Sequence, residues 1–224
     1  MFDSQIDYPK GAYELLSERF SEKRRERMLS VASKRTRHVK LVIQDVHQPH
    51  NISACMRSAD AFGVLEVDVV TLNQPFKPTT PAKGVIGWLD IDKKKSVEET
   101  VLDLRKKGYK IAAGFPAQDS DYKLETLPID EPIAVIFGNE HAGVDADFTP
   151  HIDYKFTIPM VGMVESLNIS VSAALTLREL THRASQSLPR ETYYLSDEQK
   201  QALLDKWTCR QVDKYKEEID RLKK

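Results

Sequence analysis

In the segment "EPIAVIFGNEHAGV", five consecutive apolar residues from Ile133 to Phe137 are followed at once by Gly138, Asn139 and Glu140. A run this short and this uniformly apolar suits a strand buried on both faces, which needs structural layers above and below it. The rest of the chain supplies them in alternation. "KLVIQDV" (40–46), "EVDVVTL" (66–72), "YKIAAGF" (109–115) and "DYKFTIP" (153–159) read as further strands. Helical spacing predicts a helix over about 12–32 and another over 51–63, with Asn51 as N-cap and Gly63 as stop. Two more are predicted over 96–108 and 168–185. Strands alternating with helices predict an α/β fold, a parallel sheet with helices on both faces. "NQPFKPTTPAKG" (73–84) holds three prolines and reads as a loop. Leu203, Leu204 and Trp207 place a separate amphipathic helix, or a pair, in the C-terminal tail.

The 224 residues leave room for one sizeable core with terminal elaborations. No apolar run approaches the roughly 20 residues of a membrane helix. The N-terminal "MFDSQIDYPKGAYELL" lacks a basic stretch leading into an apolar one, and a cytoplasmic protein is expected. Cys55 and Cys209 stand in unrelated contexts, which predicts a reducing compartment and no structural zinc. His47 and His50 in "HQPH" read as loop residues rather than ligands, so no metal site is expected. Net charge is −1, but "SEKRRERMLSVASKRTRHVK" carries eight Lys or Arg against two Glu. Such an arm is either a solvated helix face or a surface for phosphates. In the second reading Arg24, Arg27, Lys34, Arg35 and Arg37 contact RNA.

No GxxxxGK[ST] is present, and no GxGxxG follows the first strand, so a P-loop and an ordinary dinucleotide site lack support. Three segments could carry chemistry. In "QPHNISACMRSADAFGV", Ile52, Cys55, Met56, Ala59 and Phe62 make one apolar face and Arg57 projects away from it. Alone, Asn51 is equally a plain cap, and Arg57 a surface arginine paired with Asp60. In "IAVIFGNEHAGV", Gly138 arrives at the carboxyl end of a strand, where ligands of open α/β sheets bind, and permits close backbone approach. The third segment is "IPMVGMVESLNISVSAAL" (158–175). Pro159 and Gly162 stop regular structure, yet Met160, Val161, Met163 and Val164 are too apolar for an ordinary surface loop. This segment is expected to be buried against a flat apolar ligand or under another segment. Small residues from Ser170 to Ala174 would allow a backbone to approach closely.

Together, in order and spacing, these segments resemble the three motifs of the SpoU/TrmH branch of the SPOUT RNA methyltransferases. The family's Asn and Arg, separated as here, are similar to Asn51 and Arg57. "FGNEHAGV" resembles the second motif and "IPMVGMVESLNISVSAAL" the third, nearly residue for residue. The likeness covers roughly Arg35 to Arg183. It implies an arm over 1–37, a methyltransferase domain over 38–186 with a C-terminal deep trefoil knot, and a helical extension over 187–224. It implies S-adenosyl-L-methionine as cofactor, held near Gly114, Gly138, Ile158, Met160 and Leu167. It further implies a homodimer formed through the knot, and a structured RNA substrate. The flanks are most similar to members that methylate a D-loop guanosine ribose in tRNA. "AKGVIGW" departs from the more Ser- and Gly-rich stretch of relatives.

The resemblance implies Arg57 as the catalytic residue, with Asn51, Glu140, Ser166 and Asn168 in the surrounding polar network. Deprotonating a guanidinium near neutral pH costs roughly 7–9 kcal/mol, which favours Arg57 as a fixed cation over a general base. There it would stabilise a developing alkoxide, a substrate phosphate taking the proton. An rRNA substrate and a catalytically silent RNA-binding protein remain the alternatives.

Overall fold

The computed structural model describes residues 7–72, 84–139 and 142–222. In chain order these form helices α1 (Ala12–Leu16) and α2 (Glu22–Ala32), then β1 (Val39–Gln44), α3 (Pro49–Ala61) and β2 (Glu66–Val70). Next come β3 (Asp90–Lys94), α4 (Val97–Lys106), β4 (Lys110–Gly114), β5 (Tyr122–Lys123), β6 (Ile133–Phe137) and β7 (Tyr154–Thr157). Four helices close the chain: α5 (Ile169–Ser187), α6 (Arg190–Tyr193), α7 (Asp197–Gln211) and α8 (Tyr215–Leu222).

The strands pair in parallel throughout, in the order β3-β2-β1-β6-β4-β7-β5. Alternation along each strand divides the core in two. Val39, Leu41 and Ile43 of β1, with Ile133, Val135 and Phe137 of β6, pack against α3 and α5. Val42, Ala134 and Ile136 point the other way, onto Val97, Val101 and Leu104 of α4. Helices therefore cover both faces. Each such buried aliphatic side chain contributes about 1.5–3 kcal/mol.

Local chemistry sets the helix ends. The Ser96 hydroxyl accepts from the Glu99 amide at 3.0 Å and caps α4. Gly63 ends α3 at φ +79°, with any Cβ placed 2.6 Å from the Lys34 carbonyl oxygen, so only glycine fits.

Both termini pack into one body beside the sheet. Met28 and Ala32 of α2 and Leu203, Leu204 and Trp207 of α7 surround Leu65. The Trp88 and Trp207 rings meet edge-on at 5.3 Å between centroids. The buried Asp205 carboxylate accepts from the Gly11 and Tyr13 amides at 2.9 and 2.8 Å, tying the start of α1 to α7.

Three expectations change. The helix over 12–32 is broken: a single 3₁₀ turn follows α1, Phe20 is extended, and Ser21 opens α2. β3 was not anticipated, because "DIDKK" places only Ile91 on an apolar face. Its charges are matched by neighbours: Lys94 pairs with Asp92 at 2.8 Å and Asp103 at 3.1 Å, and Asp90 pairs with Lys206 at 2.7 Å. Asn51 is not the cap of α3, since Gln48 takes that place and Pro49 starts the helix. The loop over 73–84 lies outside the described residues except for Gly84. Among the described residues no helix is long and apolar enough to cross a membrane.

Candidate functional site

All strands run in parallel, so their carboxyl ends share one edge of the sheet. β6, β4 and β7 are neighbours there and carry Gly138, Gly114 and Ile158 at their ends. Three of the residues expected to hold a cofactor are thus brought side by side, one per strand.

Gly138 is fixed by sterics. The backbone amides of Asn139 and Gly143 each donate to the other's carbonyl at 2.9 Å, closing a turn back over β6. A Cβ on Gly138 would lie 2.0 Å from the Gly143 carbonyl oxygen, well inside any tolerable contact. Gly114 is exposed, with ordinary contact to Phe156. Glu140 lies outside the described residues.

Asn139, beside it, bonds to a segment that sequence reasoning set aside. Its amide donates to the His47 ring at 3.1 Å, and its side-chain oxygen accepts from the Ala142 amide at 3.1 Å. At the end of β1, Asp45 adopts a left-handed backbone, φ 46°, with its carboxylate accepting from the Leu72 amide at 2.8 Å. Such a conformation in a non-glycine residue is a mark of functional edges. The available signal was position: "DVHQPH" leaves a buried strand at its carboxyl end.

The third segment makes the sharpest departure. Met160 is 40% exposed, Val164 63%, and Val161 and Met163 fully so, and the expected burial of this loop is not met within one chain. The reason is geometric. The loop leaves β7 at the sheet edge, Pro159 and Gly162 prevent regular structure, and among the described residues no element covers its apolar side chains. Residues 159–167 make no backbone hydrogen bond among the described residues. Leu167 and Ile158 are half-buried at its two ends, and Ser166 is exposed.

Beyond the loop, Asn168 caps α5, its side-chain oxygen accepting from the Ser170 amide at 2.9 Å and the Ser170 hydroxyl at 2.6 Å. Its amide nitrogen donates to Asn51 Oδ1 at 3.2 Å, joining the first and third segments. Asn51 is the third residue of α3, inside the helix, so its side-chain oxygen meets Asn168 rather than capping α3. Arg57 lies further along the same helix, exposed opposite the buried face formed by Ile52, Cys55, Met56 and Ala59. It makes no ion pair among the described residues.

The basic arm divides. Arg27 and Lys34 are exposed. Arg24 is exposed but sits 5.5 Å from the Trp88 ring centroid and donates to Gln211 at 2.8 Å, bridging α2 to α7. Arg37 spans Glu66 at 2.8 Å and Asp90 at 3.4 Å. Arg35 is a correction: it is 1% exposed, pairs with Asp60, donates to the Asp60 carbonyl at 3.0 Å and lies over Trp207. A guanidinium so enclosed packs the arm onto the sheet and does not reach phosphate.

Comparison with known proteins gives the family. The SpoU rRNA Methylase family model matches residues 38–178, from β1 into α5. The tRNA (guanosine(18)-2'-O)-methyltransferase of Thermus thermophilus is 32% identical over 190 residues, covering 84% of this chain and 96% of the relative. The Escherichia coli K12 protein of the same name is 29% identical over 181 residues, covering 80% and 79%. Among solved structures, the A. aeolicus TrmH/SpoU tRNA modifying enzyme superposes with a TM-score of 0.77 at 29% identity, over 86% of this chain and 98% of that one. The methyltransferase AviRb from Streptomyces viridochromogenes, solved with AdoMet, shares the fold at a TM-score of 0.61 and 22% identity, over 68% and 63%. By the extent of that family match, the chain belongs to the SpoU rRNA Methylase family.

Proposed function

We propose that this chain is an S-adenosylmethionine-dependent RNA methyltransferase acting on the ribose 2'-hydroxyl of guanosine 18 of tRNA. The observation that carries the reading is the convergence of Gly138, Gly114 and the 158–167 loop at one sheet edge, in a family whose relatives named for this reaction align over most of the chain.

The residues present fit the cofactor. Residues 159–167 offer exposed apolar side chains beside backbone donors and acceptors with no backbone partner among the described residues, which suits a flat, polar-edged adenine. Ile158, Met160 and Leu167 would hold the ring, with Gly114 and Gly138 allowing close approach. When bound, S-adenosylmethionine supplies an electrophilic methyl group and its own leaving group. What remains for the protein is to orient the hydroxyl and manage its charge. Arg57, exposed and without an ion pair among the described residues, acts as a fixed cation beside the developing alkoxide, worth about 10²–10³ in rate by analogy with oxyanion donors. Asn51 and Asn168, bonded to each other, hold the two helix starts in register, and Ser166 and Glu140 complete the polar network. No metal ligand is assigned.

Two structural features belong to the same reading. α5 packs on α3 and β1, although β7 lies three strands away, so the 158–168 connection must cross the ends of β4 and β6. That crossing supports a trefoil knot. The exposed apolar loop continues into Val171 and Leu175 of α5, and this supports a homodimer through the knot, with Arg57 serving cofactor held by the partner. The arm over 1–37, the catalytic unit over 38–186 and the extension over 187–224 are retained as its organisation, and the cytoplasm as its location.

The test is transfer of labelled methyl from S-adenosylmethionine to unmodified tRNA and, separately, rRNA. Label in the D-loop ribose of guanosine 18, reduced at least 100-fold by Arg57→Ala with folding intact, is the expected outcome. Label confined to rRNA would overturn the substrate, and loss of both label and cofactor binding would overturn the enzyme.

A further inference from the structure

Past Arg57, α3 ends at the wall of a cavity of about 480 Å³, a size ordinary for a small organic ligand. Three exposed cations from two parts of the chain line it, Arg27 and Lys34 from the arm and Arg178 from α5. None of the three makes an ion pair among the described residues. The carboxylate in its wall, Asp60, is already taken by Arg35. The cavity is therefore strongly positive. It is also aromatic: Phe62 and Tyr194, both partly exposed, line it, and the Arg190 guanidinium lies 5.1 Å from the Tyr194 ring centroid.

Unpaired cations beside flat rings suit a ligand that is anionic at one end and a flat π-system at the other, which is the chemistry of a nucleotide. Position narrows it further. Ala61, in the cavity wall, lies four residues beyond Arg57 on the same face of α3, about 6 Å along the axis. On α5, Val171, Leu175, Arg178 and His182 form one stripe by spacing, apolar for its first half and basic or imidazole for its second. The exposed apolar patch stops where the cavity begins.

We propose that this cavity is a subsite for one unstacked nucleotide of the RNA strand that flanks the methylated residue. Arg27, Lys34 and Arg178 hold its phosphate, and Tyr194 with Phe62 receives its base. The flanking position rests on the ribose-methylation reading through Arg57; RNA binding in the cavity does not need methyl transfer to occur.

The test measures binding of a tRNA transcript and of a short single-stranded oligoribonucleotide, without methyl donor, for the full chain and four variants. Arg178→Ala and Lys34→Ala should each weaken both RNAs and lower the salt slope by about 0.7. Tyr194→Leu should weaken the oligoribonucleotide about fivefold or more, and Tyr194→Phe should restore it. Unfolding midpoints exclude a misfolded variant, and Arg178 and Lys34 are exposed enough to be replaced safely. Unchanged affinity and salt slope in Arg178→Ala and Lys34→Ala overturn the subsite, whatever methyl transfer shows. A mononucleotide or inorganic phosphate binding as tightly as the oligoribonucleotide overturns RNA as the ligand in favour of a free anion. Normal RNA binding by a chain that transfers no methyl overturns the proposed function and leaves the subsite standing.

Discussion

At the scale of single residues, Gly138 and His38 make the clearest demands. Replacing Gly138 by alanine puts a methyl group against the Gly143 carbonyl, which is backbone and cannot swing aside. The Asn139–Gly143 turn must then open. Gly138→Ala is expected to cost more than about 2 kcal/mol and to abolish cofactor binding, both readable by thermal unfolding with and without S-adenosylmethionine. The buried His38 donates from Nε2 to the Ile129 carbonyl at 2.6 Å. Burial lowers its pKa below the ordinary 6.5, more than that bond and nearby Asp130 raise it. The unfolded chain therefore takes up a proton first on acidification. His38 contributes nothing unfavourable above pH 6.5, and stability falls as pH drops below it, by up to about 1.4 kcal/mol per unit. Urea unfolding at pH 7 and pH 5.5 should show the loss, and His38→Gln should flatten it. Cys209 poses no competing chemistry, since burial, reinforced by Asp205, pushes its thiol up to about 11.

At the scale of elements, Asp205 is the joint between the two ends of the chain. Asp205→Ala would leave the Gly11 and Tyr13 amides without their acceptor, at a cost of about 1–3 kcal/mol. Limited proteolysis should then cut ahead of α2 in the variant and spare the unmodified chain. This joint was invisible in the sequence, as were most contacts made between distant charged residues. Period and punctuation were legible: the "IAVIF" strand, Ser96 with Gly108 around α4, Gly63 after α3, and Asn168 before α5. β3 was not, because a charged edge strand looks polar until Lys94, Asp92 and Asp103 are seen to neutralise one another. There burial alone would depress the Lys94 ammonium, but the two carboxylates outweigh it and hold it above its usual range. The arm misled for the same reason. Arg35 and Arg27 look alike in a basic run, and only packing sends one under Trp207 and leaves the other in water.

At the scale of the whole molecule, the surface left for a second copy to cover is the apolar one. Met160, Val161, Met163, Val164, Val171 and Leu175 are exposed within sixteen residues of one another, whereas the other exposed large apolar residues described, Leu15, Leu29, Leu102 and Leu222, are scattered along the sequence. On the dimer proposal the unmodified chain should sediment at twice its 25.6 kDa mass, and the paired variant Val161→Asp with Met163→Glu as a monomer. An unmodified chain already at the monomer mass would reject the dimer.

The bond between Tyr13 and Asp205 joins residues 192 apart. At typical synthesis rates the interval between making these two partners is about 10–40 s. For that whole interval α1 has no seat, since Ala12 and Leu16 pack on Cys209 and Ile219, whereas Met28 of α2 already has Leu65 to pack on. α1 is thus among the last elements to be put in place, and until then its buried side chain Leu16 has nothing to pack against.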